Sequence, residues 1–207
     1  MIEVSETQFN GEADAVAHNL IREHYISDGE WYIICDLDEF HDLGCVKSFD
    51  EAAMMAEGNG ASAISGILWD RVSSDGHLPE TLILDQGLGK QFPMACEITK
   101  LLIKGSNNKI LMAKKEVTIT PGHHGCEGNP WNSNGRVHHF KWFGGIVEEA
   151  FRRLLSYEKQ GLYYKHESQI LYDYITSNGN KIPVGDQNLN FVKVNDDPFS
   201  DLIGIPD

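Results

Sequence analysis

The sequence predicts an α/β or α+β fold in a single domain, on three observations. The chain has 207 residues, enough for one domain with a sizeable core. Its composition, 41% hydrophobic and 23% charged, is that of a globular protein. Segments with helical spacing and short apolar runs of strand type are interleaved along the chain.

The elements follow in order. Residues 12–27 form an amphipathic helix, because Val16, Leu20, Ile21 and His24 recur at helical spacing and Asp28-Gly29 ends it. Trp31–Cys35 is a continuous apolar run and reads as a buried strand covered on both faces. Ser48-Phe-Asp-Glu51 fits a capping box, so a helix runs over 49–57 and Gly58-Asn59-Gly60 closes it. The run Ile64–Trp69 makes 61–72 a strand. Residues 73–90, rich in Gly, Asp and Ser, form a long irregular connection of a kind that often carries function.

Residues 98–103 and 109–113 read as strands joined by turn chemistry at Gly105-Ser-Asn-Asn108, and 117–120 is β-branched and strand-like. A loop rich in Gly, Asn and His over 121–135 leads into an extended segment over 136–142. Helices over 144–159 and 166–177 follow, the first with Ile146, Val147, Ala150, Phe151, Leu154 and Leu155 on one face. The domain is expected over 1–180, and 181–207, with Pro183, Pro198 and Pro206, as an extended surface tail.

The net charge of −14 argues against a general nucleic-acid surface, which needs clustered Lys and Arg. It leaves room for a nucleotide phosphate bridged by a divalent metal. Cys35, Cys45, Cys96 and Cys126 form no C-x-x-C pair, so free thiols and a reducing compartment are expected, with Cys35 as a small buried hydrophobe. No apolar run reaches the length of a membrane span, and the N-terminal Met-Ile-Glu-Val-Ser-Glu lacks the regions of a signal peptide. A cytoplasmic protein is the default expectation.

Asp36 and Asp38 follow the first apolar run directly. Ligands of open α/β sheets collect outside the carboxyl ends of strands, and side chains two apart on an extended chain face the same way. Two carboxylates so placed suit Mg²⁺ or Mn²⁺, which would offset the charge of a departing diphosphate. The other reading is a solvated acidic turn.

The stretch Trp31-Tyr-Ile-Ile-Cys-Asp-Leu-Asp-Glu-Phe40 resembles the D-x-D-E-F core of family-2-like glycosyltransferases, the subgroup that is also similar to glycosyltransferase family 92. Lys114–Gly125, ending Thr-Pro-Gly-His-His-Gly, and Arg136-Val-His-His-Phe-Lys-Trp142 resemble later segments of those enzymes, in the same order, over roughly residues 15 to 165. The resemblance implies a GT-A fold, a mixed sheet flanked by helices. It implies hexose transfer from a UDP- or GDP-sugar to a glycan or lipid-linked acceptor, dependent on Mn²⁺ or Mg²⁺ and inverting at the anomeric carbon. Asp38 would be the principal metal ligand, Asp36 would lie near the ribose and metal, and His139 would be the third ligand or a diphosphate contact. Asp38 and Glu39 would form the catalytic acidic core, with Glu39 supporting the site or meeting acceptor hydroxyls. His124, or alternatively His123, would lie nearby. Such enzymes place a nucleotide-binding region of more than one βα unit before the acidic motif, and only 35 residues precede Asp36. The N-terminal half is therefore expected to be incomplete, by truncation or in a reduced variant.

His123-His124 and His138-His139 form two pairs. Adjacent residues on an extended chain point to opposite faces, so at most one of each pair should reach a common site. Trp142 is a candidate ring for stacking on a sugar or base, or else a core residue. Lys141 and Lys114 are candidate phosphate partners, and Glu127 a neighbour of the histidine loop. Two rivals stand beside transfer. One is a glycosyltransferase-like remnant that binds sugar without turnover. The other is a phosphohydrolase of the haloacid dehalogenase type, whose D-x-D-x-T/V motif would need Thr or Val where Phe40 stands.

Overall fold

The computed structural model describes residues 11–44, 46–83, 86–161 and 164–195. The N-terminal hexapeptide, Cys45, Pro198 and Pro206 lie outside them. Helices and strands are mixed along the chain. In order they are α1 (Gly11–Tyr25), β1 (Trp31–Ile33), β2 (Glu39–Asp42), α2 (Phe49–Gly58), β3 (Ala63–Val72), α3 (Leu88–Gln91), β4 (Met94–Cys96) and α4 (Ile98–Leu101). Then come β5 (Asn108–Lys114), β6 (Trp131–His139), α5 (Ile146–Gln160), α6 (Lys165–Ser177) and β7 (Val192–Lys193). Among the described residues no helix is long and apolar enough to cross a membrane, and Cys96 and Cys126 are free thiols.

The chain forms two compact units, and β3 and β6 each contribute one end to either. The first comprises the chain up to Cys35, Leu43–Ile67 and Asn108–Gly135. Here β1 pairs antiparallel with β5 (Trp31 opposite Lys114), and β5 with the first half of β3 (Ala63 opposite Ala113). The core is Ala63, Ile110, Ala113, Val117 and Ile119, with Tyr32 and Ile34 packed against it. Ser48 caps α2 as expected, its Oγ accepting from the Glu51 backbone N–H at 3.1 Å, while the Glu51 carboxylate reaches past the cap residue and accepts from the N–H of Lys47 at 2.8 Å. Glycine is required where β3 meets β6, because a Cβ on Gly66 would lie 2.7 Å from the carbonyl oxygen of Gly135.

Strand β1 departs from the expected buried strand. Among the described residues it pairs with β5 alone, at the end of the sheet, and its faces are not both covered: Ile33 is 45% exposed, Cys35 is exposed and Leu37 is fully exposed. A continuous apolar run therefore marks an open edge here, and Cys35 is not a core residue.

The second unit comprises Asp36–Asp42, Leu68–Asn107 and the chain from Arg136 onward. The second half of β3 pairs antiparallel with β4 (Asp70 opposite Cys96), β4 with β7, and β2 with the end of β6 (Glu39 opposite His139). Val72, Ile98, Trp142, Ala150, Leu171 and Ile175 form its main core, and Phe92 and Phe140 a second cluster with Phe40 against it. Residues 181–195 are irregular apart from a bridge at Lys181 and strand β7, and they place Ile182 and Leu189 in the main core.

Three local expectations change. The apolar stretch 98–103 begins as a helical turn, α4, and the strand lies just before it as β4. A short apolar run does not by itself separate helix from strand. Strand β2 has an acidic, histidine-containing sequence without apolar alternation, and its extended form follows from its pairing with β6. Residues 117–120 make one isolated bridge, Ile119 to Cys126, in place of a strand.

Candidate functional site

The second unit holds a buried polar cluster built from β3, β6 and the start of β2. Asp70 has no solvent exposure. Its carboxylate accepts from the backbone N–H of Thr99 at 2.8 Å and from the indole N–H of Trp142 at 3.1 Å, and lies 3.1 Å from His139 Nδ1. A buried carboxylate needs such partners, since an unpaired buried charge is very costly. The other ring nitrogen of His139, Nε2, lies 3.4 Å from Asp38 Oδ2, whose side chain is 41% exposed. His139 thus bridges a buried carboxylate and one that solvent reaches.

The charges reinforce one another. Burial pushes the Asp70 and Asp38 carboxyls upward, but hydrogen bonding to His139 and the nearby Lys141 and His139 charges bring both below the usual carboxylate value. Burial and Lys141 push the His139 imidazole downward, and its bonds to Asp38 and Asp70 outweigh them and hold it above its ordinary value. Each ring nitrogen of His139 therefore faces a carboxylate.

Adjacent strand residues face opposite ways, and Asp70-Arg71 and His138-His139 do so together. Asp70 meets His139, while Arg71 meets His138, with Nη1 2.7 Å from His138 Nδ1. Arginine has no acceptor, so His138 Nδ1 accepts and its other nitrogen carries the proton. Arg71 also donates from Nε and Nη2 to the carbonyl of Phe92, at 2.9 and 2.7 Å, and its guanidinium lies 5.1 Å from the Phe140 ring centroid.

The expected site residues are distributed as follows. Asp38 and His139 meet. Glu39 is buried opposite His139 in the β2–β6 register, and its N–H donates to the Asp36 carbonyl at 3.1 Å. Asp36 is exposed beside them in the chain. Lys141 lies with its ammonium 4.8 Å from the Trp142 ring centroid. Trp142 is 1% exposed and spends its N–H on Asp70, so it supports the cluster from the core and offers no open face. His124 belongs to the first unit, where it exchanges contacts with Asn108 at 2.9 Å. His123 is buried there with Nε2 2.5 Å from His18 Nδ1.

As a metal site the donor set is thin. Among the described residues no group of three or more His, Cys, Asp or Glu side chains is arranged to hold a metal ion. Both nitrogens of His139 face carboxylates, so it fits as a third ligand only if its contact with Asp38 opens. Asp36 and Asp38 offer carboxylate oxygens, the donor type that a hard divalent ion takes.

Asp70, the centre of the cluster, was not singled out in the sequence. The signal was present: Asp70-Arg71 interrupts an otherwise apolar strand, and charges in such a position demand buried partners. Comparison with protein-family models, characterised proteins and solved structures gives no match.

Proposed function

We propose that the chain is a glycosyltransferase-like protein with a GT-A-like sheet, acting on sugar hydroxyls at the Asp38–His139–Asp70 cluster. The observation that supports this is the 3.4 Å approach of Asp38 and His139, residues from two separate segments that the resemblance assigns to one site. The reaction would move a hexose from a nucleotide diphosphate sugar to an acceptor hydroxyl. Asp38 would take the hydroxyl proton as the acceptor oxygen bonds the anomeric carbon. The bond to the diphosphate would break with its electron pair on the leaving oxygen, and the His139 and Lys141 cations would face that charge. Asp70 would act as a positioning residue, holding Nδ1 so that proton movement is confined to Nε2. A Mn²⁺ or Mg²⁺ ion on Asp36 and Asp38 would supply further charge to the diphosphate.

A second reading is a sugar-binding remnant without turnover. It is favoured by the lowering of Asp38, because a carboxylate held below its usual range is a weak base at neutral pH. One experiment separates the two. Melting temperatures are measured with UDP, GDP, UDP-glucose and GDP-mannose, with and without Mn²⁺, for the native chain and Asp38→Asn, and nucleotide release from UDP- and GDP-sugars is followed by mass spectrometry. Transfer requires a nucleotide-dependent shift, lost in Asp38→Asn, and release of UDP or GDP. A shift without release supports the remnant. No shift with any nucleotide or sugar ends both readings.

A further inference from the structure

The first unit contains a concave site unrelated to the cluster above. A cavity of about 260 Å³ opens between α1, β1 and the segment Ile119–His123. Its wall is mainly apolar, supplied by Ile21, Ile33, Ile34 and Ile119. One cation is set into this wall. Arg22 is 9% exposed, and its Nη1 donates to the carbonyl of Val117. Its contact with Glu23, at 3.6 Å, reaches a carboxylate that is 58% exposed and therefore well screened. Its Nε is buried without a hydrogen-bond partner among the described residues. A guanidinium keeps its charge at any accessible pH, and a buried donor without an acceptor is costly. Beside it, His18 and His123 stand ring to ring with centroids 4.5 Å apart, and His123 is held at a φ of +57° that non-glycine residues adopt rarely.

An apolar wall with a buried, incompletely satisfied guanidinium is complementary to a ligand with a hydrocarbon body and an anionic head. The fixed positive charge of Arg22, which lines the cavity, suits an anionic head such as a carboxylate. The cavity is smaller than a typical drug-sized site, which limits the body to a short chain or one ring. We propose that this cavity binds a small amphipathic carboxylate, of the medium-chain fatty-acid type, with its head on Arg22 and its chain along the isoleucine wall. The histidine pair closes the polar end and Cys35 lines the cavity.

Sodium octanoate, titrated calorimetrically into the full chain, is the test, with octan-1-ol and acetate as comparisons. Octanoate should bind, and octanol and acetate should each bind about tenfold weaker or worse, lacking one half of the complementarity. Arg22→Met should lose octanoate binding. Because it also removes the Val117 contact, Ile33→Trp is the second variant: position 33 is half open, and the larger ring takes up cavity space while Arg22 itself is unchanged. The proposal is overturned if octanoate does not bind, or if a folded Arg22→Met or Ile33→Trp binds it as tightly as the native chain.

Discussion

His139 Nδ1 lies 3.1 Å from Oδ1 of Asp70, a carboxylate sealed from solvent that also receives the Trp142 indole and the Thr99 amide. The pairing fixes which nitrogen of His139 faces Asp38. Asp70→Asn keeps the shape but removes the anion and presents an amide where three donors converge. It should cost about 3–5 kcal/mol, as for one partner removed from a buried pair. It should also lower the titration midpoint of His139, read by NMR of the ring protons. An unchanged midpoint would mean that Asp70 does not set the charge state of His139.

The same cluster sets the pH dependence of stability. The folded-state value of His139 is raised above 6.5, so its contribution is complete below about 6.5 and fades as pH rises through the folded value. The values for Asp38 and Asp70 are lowered beneath 3.8, so their contribution is complete above about 3.8 and fades as pH falls through the folded values. Denaturant midpoints should therefore peak between these limits. In His139→Gln the decline on the alkaline side should flatten. A native chain whose stability still rises from pH 6 to pH 8 would contradict this assignment.

Much of this arrangement was legible in the chain, and its limits have physical causes. The helices 146–160 and 165–177 were visible because one-sided apolar periodicity is a local property. The division of His138 from His139 was visible because strand alternation is local too. Asp38 and His139 were legible as separate candidates, but Asp70 was not, because its role depends on tertiary pairing across β3, β4 and β6. Strand β2 was invisible for the same reason: its residues Glu39-Phe-His-Asp42 are extended because of a partner strand, not their own propensity. Trp31–Cys35 misled because an apolar run reports composition and not coverage, and β1 lies at an open edge.

Arg71 tests the opposite face of the same two strands. It is fully buried and carries two bonds to the Phe92 carbonyl and one to His138. Arg71→Lys retains the charge but reaches one of these acceptors at most, and leaves the planar contact with Phe140 unmade. The expected loss is about 1–3 kcal/mol in urea unfolding. A loss as small as that of an exposed arginine such as Arg152 would show that charge alone, and not the fork, is what the site uses.

Gly76 joins the loop after β3 to the C-terminal segment. Its carbonyl accepts from the N–H of Ile182 at 2.9 Å, next to a bridge between His77 and Lys181. Its φ is +74°, and a Cβ there would stand 1.8 Å from the Ile182 carbonyl oxygen. Gly60 has nearly the same φ, +70°, but nothing within 4 Å of its would-be Cβ. Alanine at position 60 should therefore cost only the left-handed backbone term, about 1–2 kcal/mol. Alanine at position 76 pays that term and must also displace a backbone carbonyl that anchors Ile182 in the core. The excess of Gly76→Ala over Gly60→Ala should be about 2 kcal/mol or more, near 4–8 °C in melting temperature for a domain of this size. Equal losses in the two variants would mean that the segment carrying Ile182 moves aside without cost, and that its packing contributes little to the unit.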